Sequence, residues 1–466
     1  MDKSLDTASA LTSKDMETLR AALRGPVFTP SDPGYDDARK LYNGMIDKRP
    51  AALARCVDAA DVMTCVKFAS NGVDLAVRGG GHNGAGLGSV NDGLVIDLSP
   101  MRAVRVDSEN RIAHVSGGAL LGDVDHAAGA FGLAVPVGIL STTGIGGLTL
   151  GGGIGNMTRT FGLTVDNLLE VDIVLADGTQ VKASETENPD LFWAVRGGSG
   201  NFGVVTHFTF RLHPASNVVF GPTLWHLDDA ADVLRFYREF LPAAPDTING
   251  YFAFLTVPPV PPFPEELHLK KMAAIAWCCT GDPDRAQEAL KPALAVGKPA
   301  LHGVMSVPVP AMNSAFDALY PPGTQQYWRA DFFDSITDGA VLLNVEHASK
   351  MPTPQCTTHM YPVDGVAARV GTDETAWAYR DAKWAQVYFA VDPDPANADA
   401  LKTWCVDYYE ALHPYSMGGG YVNFMMEEGQ ERVRATYRGH YDRLARIKAT
   451  YDPGNLFHIN QNIKPA

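Results

Sequence analysis

The sequence predicts an α+β protein of two domains, and three observations lead there. The chain has 466 residues, more than one hydrophobic core normally serves. More than half of its 45 glycines lie between Arg78 and Gly203, roughly three times the usual density. Beyond His213-Pro214 the pattern changes to longer helical periods alternating with strands. A first domain over residues 1–213 and a second starting at 214 follow from that change.

Each element has a local reason. Residues 51–55 read as a short strand, and Asp58 as the N-cap of a helix whose Val62, Cys65, Val66 and Ala69 share one face. Residues 75–77 form a buried strand running into Arg78-Gly-Gly-Gly-His82, a βαβ-like unit that delivers a glycine loop. Strand patterns follow at 93–98 and 169–176. In the second domain, helices are predicted at 229–241 and 396–412, a strand at 267–277, and a rigid proline-rich loop at 257–264. A last helix, 431–449, is stopped by Asp452-Pro453-Gly454. No internal repeat is visible.

Composition narrows the function classes. With 46% hydrophobic and 20% charged residues the chain is an ordinary globular one. A formal net charge of -15 repels nucleic acid and anionic membranes. The first fifteen residues, MDKSLDTASALTSKD, lack the basic start and apolar run of a signal peptide, and no stretch of about 18 apolar residues follows. A cytoplasmic protein is expected. Cys56, Cys65, Cys278, Cys279, Cys356 and Cys405 are scattered without a CxxC or a histidine at ligand spacing, which predicts reduced structural thiols and no metal site.

The glycine loops carry the functional signal. Gly198-Ser-Gly-Asn-Phe-Gly203 satisfies GxGxxG, but a strand pattern, 204–210, follows it where a dinucleotide fold of the Rossmann kind needs a helix. No GxxxxGK[ST] loop is present. Loops at 78–83, 138–147, 151–155 and 198–203 expose backbone N–H groups without bulky side chains, which suits a long dinucleotide held by main-chain donors.

Arg78-Gly-Gly-Gly-His-Asn83, Gly144-Ile-Gly-Gly147, Gly151-Gly-Gly-Ile-Gly155, Gly162-Leu-Thr-Val-Asp-Asn167, Phe192-Trp-Ala-Val-Arg-Gly-Gly198 and Asn201-Phe-Gly-Val-Val205 resemble the flavin domain of the vanillyl-alcohol oxidase superfamily. The berberine bridge enzyme-like branch is the nearest match. Tyr421-Val-Asn-Phe424, Tyr441-Asp-Arg-Leu444, Tyr451-Asp-Pro-Gly-Asn-Leu-Phe457 and Asn460-Gln-Asn-Ile-Lys-Pro465 resemble that branch independently. The resemblance implies a two-subdomain FAD-binding domain of the p-cresol methylhydroxylase/vanillyl-alcohol oxidase type over 1–213. It further implies a substrate domain over 214–416 whose antiparallel sheet roofs the isoalloxazine, and a segment, 417–466, returning to the flavin. FAD-binding positions implied by the matched motifs are Arg78, Gly79, Gly80, Gly81, His82, Asn83, Gly138, Thr142, Thr143, Gly144, Gly147, Gly152, Gly153, Gly155, Asn167, Gly203, Val205, Asn423, Asn460 and Asn462.

By the same resemblance His82 is the covalent anchor for the 8α-methyl of the flavin, a link that raises the redox potential. Many relatives attach the flavin a second time through a cysteine, whose place falls here near Leu140. No cysteine lies between Cys65 and Cys278, so the implied bond is monocovalent, as in members of the 6-hydroxy-D-nicotine oxidase type. Branch members place a carboxylate or tyrosine base on a substrate-domain strand, and a histidine or tyrosine at the fourth position of Tyr-Val-Asn-x. That fourth position is Phe424, which moves no proton. On the strand within 384–389, Gln386 and Tyr388 share a face, leaving Tyr388 as the titratable candidate for the base or else a packing residue. Without that base an amine substrate gains ground over an alcohol.

Tyr327, Trp328, Tyr361, Trp377, Tyr379, Trp384 and Tyr388 predict an aromatic wall suited to a polycyclic or alkaloid-like secondary metabolite, with core packing as the alternative. Thr143 matches the branch position that gates O₂ access, and its valine-like size implies an open gate. His114, His126 and His207 receive no role. Three readings follow: an oxidase passing electrons from a small-molecule substrate to O₂, a dehydrogenase with another acceptor, and a flavoprotein that binds a small molecule without turnover. Neither nucleic acid nor membrane is an expected partner, and the sequence carries no sign of oligomeric state.

Overall fold

The computed structural model describes residues 11–466. The first ten residues, on which most of the signal-peptide reading rests, lie outside the described ones.

Before Asn217 the chain forms two larger sheets and a two-stranded pair, Leu133–Ala134 with His213–Pro214. In the four-stranded one, the order is Val27–Phe28, Ala52–Arg55, Leu94–Asp97, Leu75–Arg78. Ala52–Arg55 and Leu75–Arg78 both pair in parallel with Leu94–Asp97, which lies between them. The predicted βαβ unit is therefore a crossover that skips one strand position. Its helix, Ala59–Ala69, starts where the Asp58 side chain accepts from the Asp61 amide, and it buries Val62, Cys65, Val66 and Ala69. The second sheet has five antiparallel strands in the order Val104–Asp107, Ile112–Ser116, Val204–Arg211, Leu168–Val174, Gln180–Ser184.

An eight-stranded antiparallel sheet dominates the region after Asn217. Its path runs Leu301–His302, Asn217–His226, Lys271–Cys279, Ile248–Thr256, Thr357–Pro362, Trp384–Asp392, Gln325–Phe333, with Met305–Pro308 also paired to Asn217–His226. Side chains alternate across it. One face buries Trp225, Trp277, Met360, Trp384 and Tyr388 against helices Ala230–Ala243, Asp338–Ser349 and Ala398–Leu412. The other gathers Tyr251, Trp328, Tyr361, Ala385 and Val387. This second face meets the segment after His82 so closely that a Cβ on Gly84 would fall 2.2 Å from the Trp328 ring.

Two buried ion pairs join the sheets' surroundings. Arg380 grips both carboxylate oxygens of Asp166, at 2.6 and 2.9 Å. Arg159 Nε donates to Asp364 at 2.7 Å. The bidentate geometry of the Arg380–Asp166 pair partly offsets the desolvation of both charges.

The expected single helix over 431–449 is in fact two, Gln430–Tyr437 and Tyr441–Tyr451, separated by a tight turn, Arg438–His440. Arg438 adopts a left-handed φ of 47°. Its guanidinium lies over the Tyr379 ring at 3.7 Å and pairs with Asp381 at 2.7 Å, contacts that a continuous helix would not aim there. The predicted strand at 267–277 likewise begins later, at Lys271, because Glu265–Leu267 forms a helical turn.

Helix Tyr441–Tyr451 is tied to the 198–203 loop by Lys448. It is fully buried, donating to the Asn201 carbonyl at 2.6 Å, the Phe457 carbonyl at 3.0 Å and Asp452. Lys448→Met should leave the Asp452 carboxylate buried without its cation. The expected cost is about 3–5 kcal/mol, read as a lowered midpoint in urea unfolding.

Candidate active site

A cavity of about 300 Å³ lies between the glycine loops and the second face of the large sheet. Its floor is built by loops whose side chains have been removed or tied back. Arg78 is buried, with its guanidinium on Asp97 at 2.7 Å and the Ala38 carbonyl at 2.8 Å, so it braces the loop and leaves the ligand to the backbone. A Cβ on Gly80 would sit 2.3 Å from the Gly144 nitrogen, and one on Gly144 the same distance from that of Gly80. Only glycine lets these two loops touch. Among the described residues the amides of Gly79, Gly80, Gly81, His82 and Asn83 donate to no protein acceptor. At Gly147 and Gly200, both lining the cavity, a Cβ would meet nothing within 4 Å.

His82 stands at the end of this loop. Tyr42 stacks on its ring at 3.8 Å and 17°, and Thr143 Oγ1 lies 3.4 Å from Nδ1. Burial pulls its pKa down to about 4, with the Thr142 carbonyl pulling weakly the other way. The imidazole is half-exposed by area, but what it faces is the cavity. At neutral pH it is uncharged.

The structure places the predicted positions in two groups. Arg78, Gly79, Gly80, Gly81, His82, Asn83, Gly138, Thr143, Gly144, Gly147, Gly203, Val205, Asn423 and Asn460 line the cavity. Thr142, Gly152, Gly153, Gly155, Asn167 and Asn462 do not. Thr142 turns its side chain to the exterior. The Gly153 amide donates to the Tyr421 hydroxyl at 2.8 Å, and Gly152 and Gly155 pack on Trp377 and on the Val137 carbonyl. Asn167 is spent inside the protein, donating to the Phe161 and Leu163 carbonyls at 2.9 Å each and accepting beside His213 Nε2. The Asn462 carbonyl accepts from Gln430 at 3.2 Å. These residues shape the loops from behind.

Tyr388 requires the largest correction. Val387 and Phe389 line the cavity, and alternation puts Gln386 and Tyr388 on the helix face. Gln386 donates to Asn344 of helix Asp338–Ser349 at 2.6 Å. The Tyr388 hydroxyl is buried there without a hydrogen-bond partner among the described residues, and burial raises its pKa well above the ordinary value. It cannot touch a substrate. Of the seven aromatics expected as a wall, only Trp328 and Tyr361 line the cavity.

Sequence reasoning gave no site role to Tyr42, Tyr320 or His359, and quoted Tyr421 only as part of a motif; all four line the cavity. His359 Nδ1 and the Tyr361 hydroxyl are 2.7 Å apart. Burial drives the His359 pKa to about 3 and that of Tyr361 well upward. The signal was available: in Thr357–Pro362 the pair sits two residues apart, and so on one face.

Five unpaired consecutive amides, glycines that open onto the cavity and a neutral histidine fit a flavin dinucleotide, which would be held by the 78–83, 138–147 and 198–205 loops. The comparisons with known proteins agree. Residues 50–184 match the family described as FAD binding domain, and 420–464 the one described as berberine and berberine like. An uncharacterised FAD-linked oxidoreductase of Bacillus subtilis, YgaK, is 31% identical over 96% of this chain and 98% of its own. Glucooligosaccharide oxidase of Sarocladium strictum is 28% identical over 93% of this chain and 91% of its own. The crystal structure of 6-hydroxy-D-nicotine oxidase from Arthrobacter nicotinovorans superimposes with a TM-score of 0.85 at 26% identity, covering 95% of this chain and 98% of that one. A cradle made of bare backbone, matched at full length by flavoenzymes, leaves one assignment: the chain belongs to the FAD-dependent oxidoreductases of the berberine bridge enzyme-like branch of the vanillyl-alcohol oxidase superfamily.

Proposed function

We propose that the protein is an oxidase that carries one FAD, covalently and only through His82, and dehydrogenates an alcohol or amine of a small aromatic molecule. In this reading residues 1–213 hold the flavin, 214–416 roof the substrate, and 417–466 close the site. Bound FAD supplies the hydride acceptor, and its reoxidation by O₂ yields hydrogen peroxide.

The observation that carries the reading is the state of His82. A nucleophile must present a lone pair, and the uncharged imidazole facing the cavity does so throughout the neutral range. Tyr42 holds the ring plane. No cysteine lines the cavity among the described residues, which supports a single covalent bond. Oxidase chemistry is supported by the names of the relatives and by Thr143, which is half-buried and lines the cavity beside His82. Phe424 also lines it, so the position that carries a histidine or tyrosine in other members contributes only an apolar surface here. That favours a substrate needing little help with its proton.

Acid-precipitated protein should stay yellow, its intact mass should exceed the chain mass by one FAD, and His82→Ala should bind flavin but release it into acid. Because the His82 pKa is lowered to about 4, its neutral form persists on acidification. The rate of covalent incorporation should be nearly flat from pH 7.5 to 5.5, whereas a histidine with the ordinary pKa of ~6.5 would lose about tenfold. A colourless pellet from flavin-loaded protein defeats the covalent assignment.

Thr143→Ile should slow reoxidation of the dithionite-reduced protein in air far more than it slows reduction by substrate, as followed at the flavin visible maximum in a stopped-flow instrument. Sluggish reoxidation of the wild type, or an isoleucine variant that keeps pace with it, would point to a dehydrogenase using another acceptor.

A further inference from the structure

The cavity has an unusual charge balance for a protein so acidic. Among the described residues, neither aspartate, glutamate nor lysine lines it. Its one cationic side chain, Arg78, is already paired with Asp97. On the sheet side the lining is Trp328, Val387 and Phe389, with Tyr42, Tyr320 and Phe424 around them. An ammonium ion entering here finds no counter-ion, and a carboxylate finds no free cation. A sugar would leave most of its hydroxyls unpaired against apolar walls.

A hydrogen-bonded polar pair faces this surface. His359 and Tyr361 lie 2.7 Å apart on adjacent same-face positions of strand Thr357–Pro362. Tyr251 backs both rings, at 4.9 and 5.0 Å between centroids. Burial keeps the imidazole uncharged. Its Nε2 has no protein partner among the described residues. Two tautomers satisfy the internal bond: either Tyr361 donates to Nδ1, leaving Nε2–H as a donor, or Nδ1–H donates to Tyr361, leaving Nε2 as an acceptor and the phenol hydrogen free. A hydroxyl group both donates and accepts, so it complements either arrangement.

We infer that the His359–Tyr361 pair recognises the hydroxyl of a flat, neutral, hydroxylated aromatic substrate, and so determines specificity against sugars and cationic amines. This rests on reading the cavity as the substrate site of a flavin oxidase, and it narrows that reading to one class.

Isothermal calorimetry on the holoenzyme tests it as binding, apart from turnover. The probes are 2-naphthol, naphthalene, 2-naphthylmethylamine as its cation at pH 7, and cellobiose. 2-Naphthol should bind roughly tenfold or more tighter than each of the others, the worth of one hydrogen bond at a desolvated site. Tyr361→Phe, which deletes a single oxygen, should bring 2-naphthol down to the level of naphthalene and leave naphthalene unchanged. His359→Gln should do the same. Tyr388→Phe, on the opposite face of the sheet, should change none of the four. Tighter binding of cellobiose or the cation, or a 2-naphthol preference that survives Tyr361→Phe, overturns the inference. These outcomes do not depend on whether the flavin is covalent or reoxidised by O₂, so a failure here and a failure of the oxidase reading are separately visible.

Discussion

An antiparallel sheet buried on both faces assigns every side chain by parity, and the function of this protein depends on which parity meets the cavity. In Trp384–Asp392, Val387 and Phe389 face the ligand space while Gln386 and Tyr388 face the helices. In Thr357–Pro362, His359 and Tyr361 take the cavity side and Met360 the other. Register fixes the match between strands: His359 lies opposite Val387, and Thr358 opposite Tyr388. A slip of one residue would exchange the two populations, burying the histidine among helices. The core on the helix side, where Trp225 and Trp277 of the strands pack with Trp404 of helix Ala398–Leu412, makes that slip costly.

The floor obeys a different constraint, set by backbone contact. Loops 78–83 and 138–147 meet at Gly80 and Gly144 with no room for a side chain. Arg78, fixed on Asp97, holds the first loop onto its strand. Roof and floor are then brought to a fixed separation by the Trp328 ring on Gly84 and by the Arg380–Asp166 and Arg159–Asp364 pairs. Charges removed from water on both sides of such pairs add little net stability. What they supply here is alignment of two layers that each carry half of the site.

Local features were legible in the sequence because their causes are local. The Asp58 cap, the strand entering Arg78 and the glycine loops need only neighbours in the chain. The failed GxGxxG was recognisable from the strand that follows it, which the structure has as Val204–Arg211. Parity was not legible: where both faces of a strand are buried, alternation groups residues without saying which group meets a ligand. Tyr388 was misplaced for that reason. Motif matching had a related limit, since Asn167 and Gly155 belong to the flavin motifs yet support the loops from behind. The break at Arg438 is dictated by Tyr379 and Asp381, both distant in sequence, with Gly439 the one local hint.

One physical cause links the two histidines of the cavity. The chain carries an excess of carboxylates, -15 in formal charge, but among the described residues none lines this space. Nothing there compensates an imidazolium, so desolvation dominates and both His82 and His359 are driven toward the neutral form. For His82, neutrality is what a covalent anchor requires. For His359, it removes any attraction for carboxylates and leaves a hydrogen-bonding group without charge. On the proposed reading, apolar walls account together for a nucleophilic His82 on the floor and a selective His359 on the roof, and a carboxylate introduced beside either histidine would raise its pKa and compromise its role.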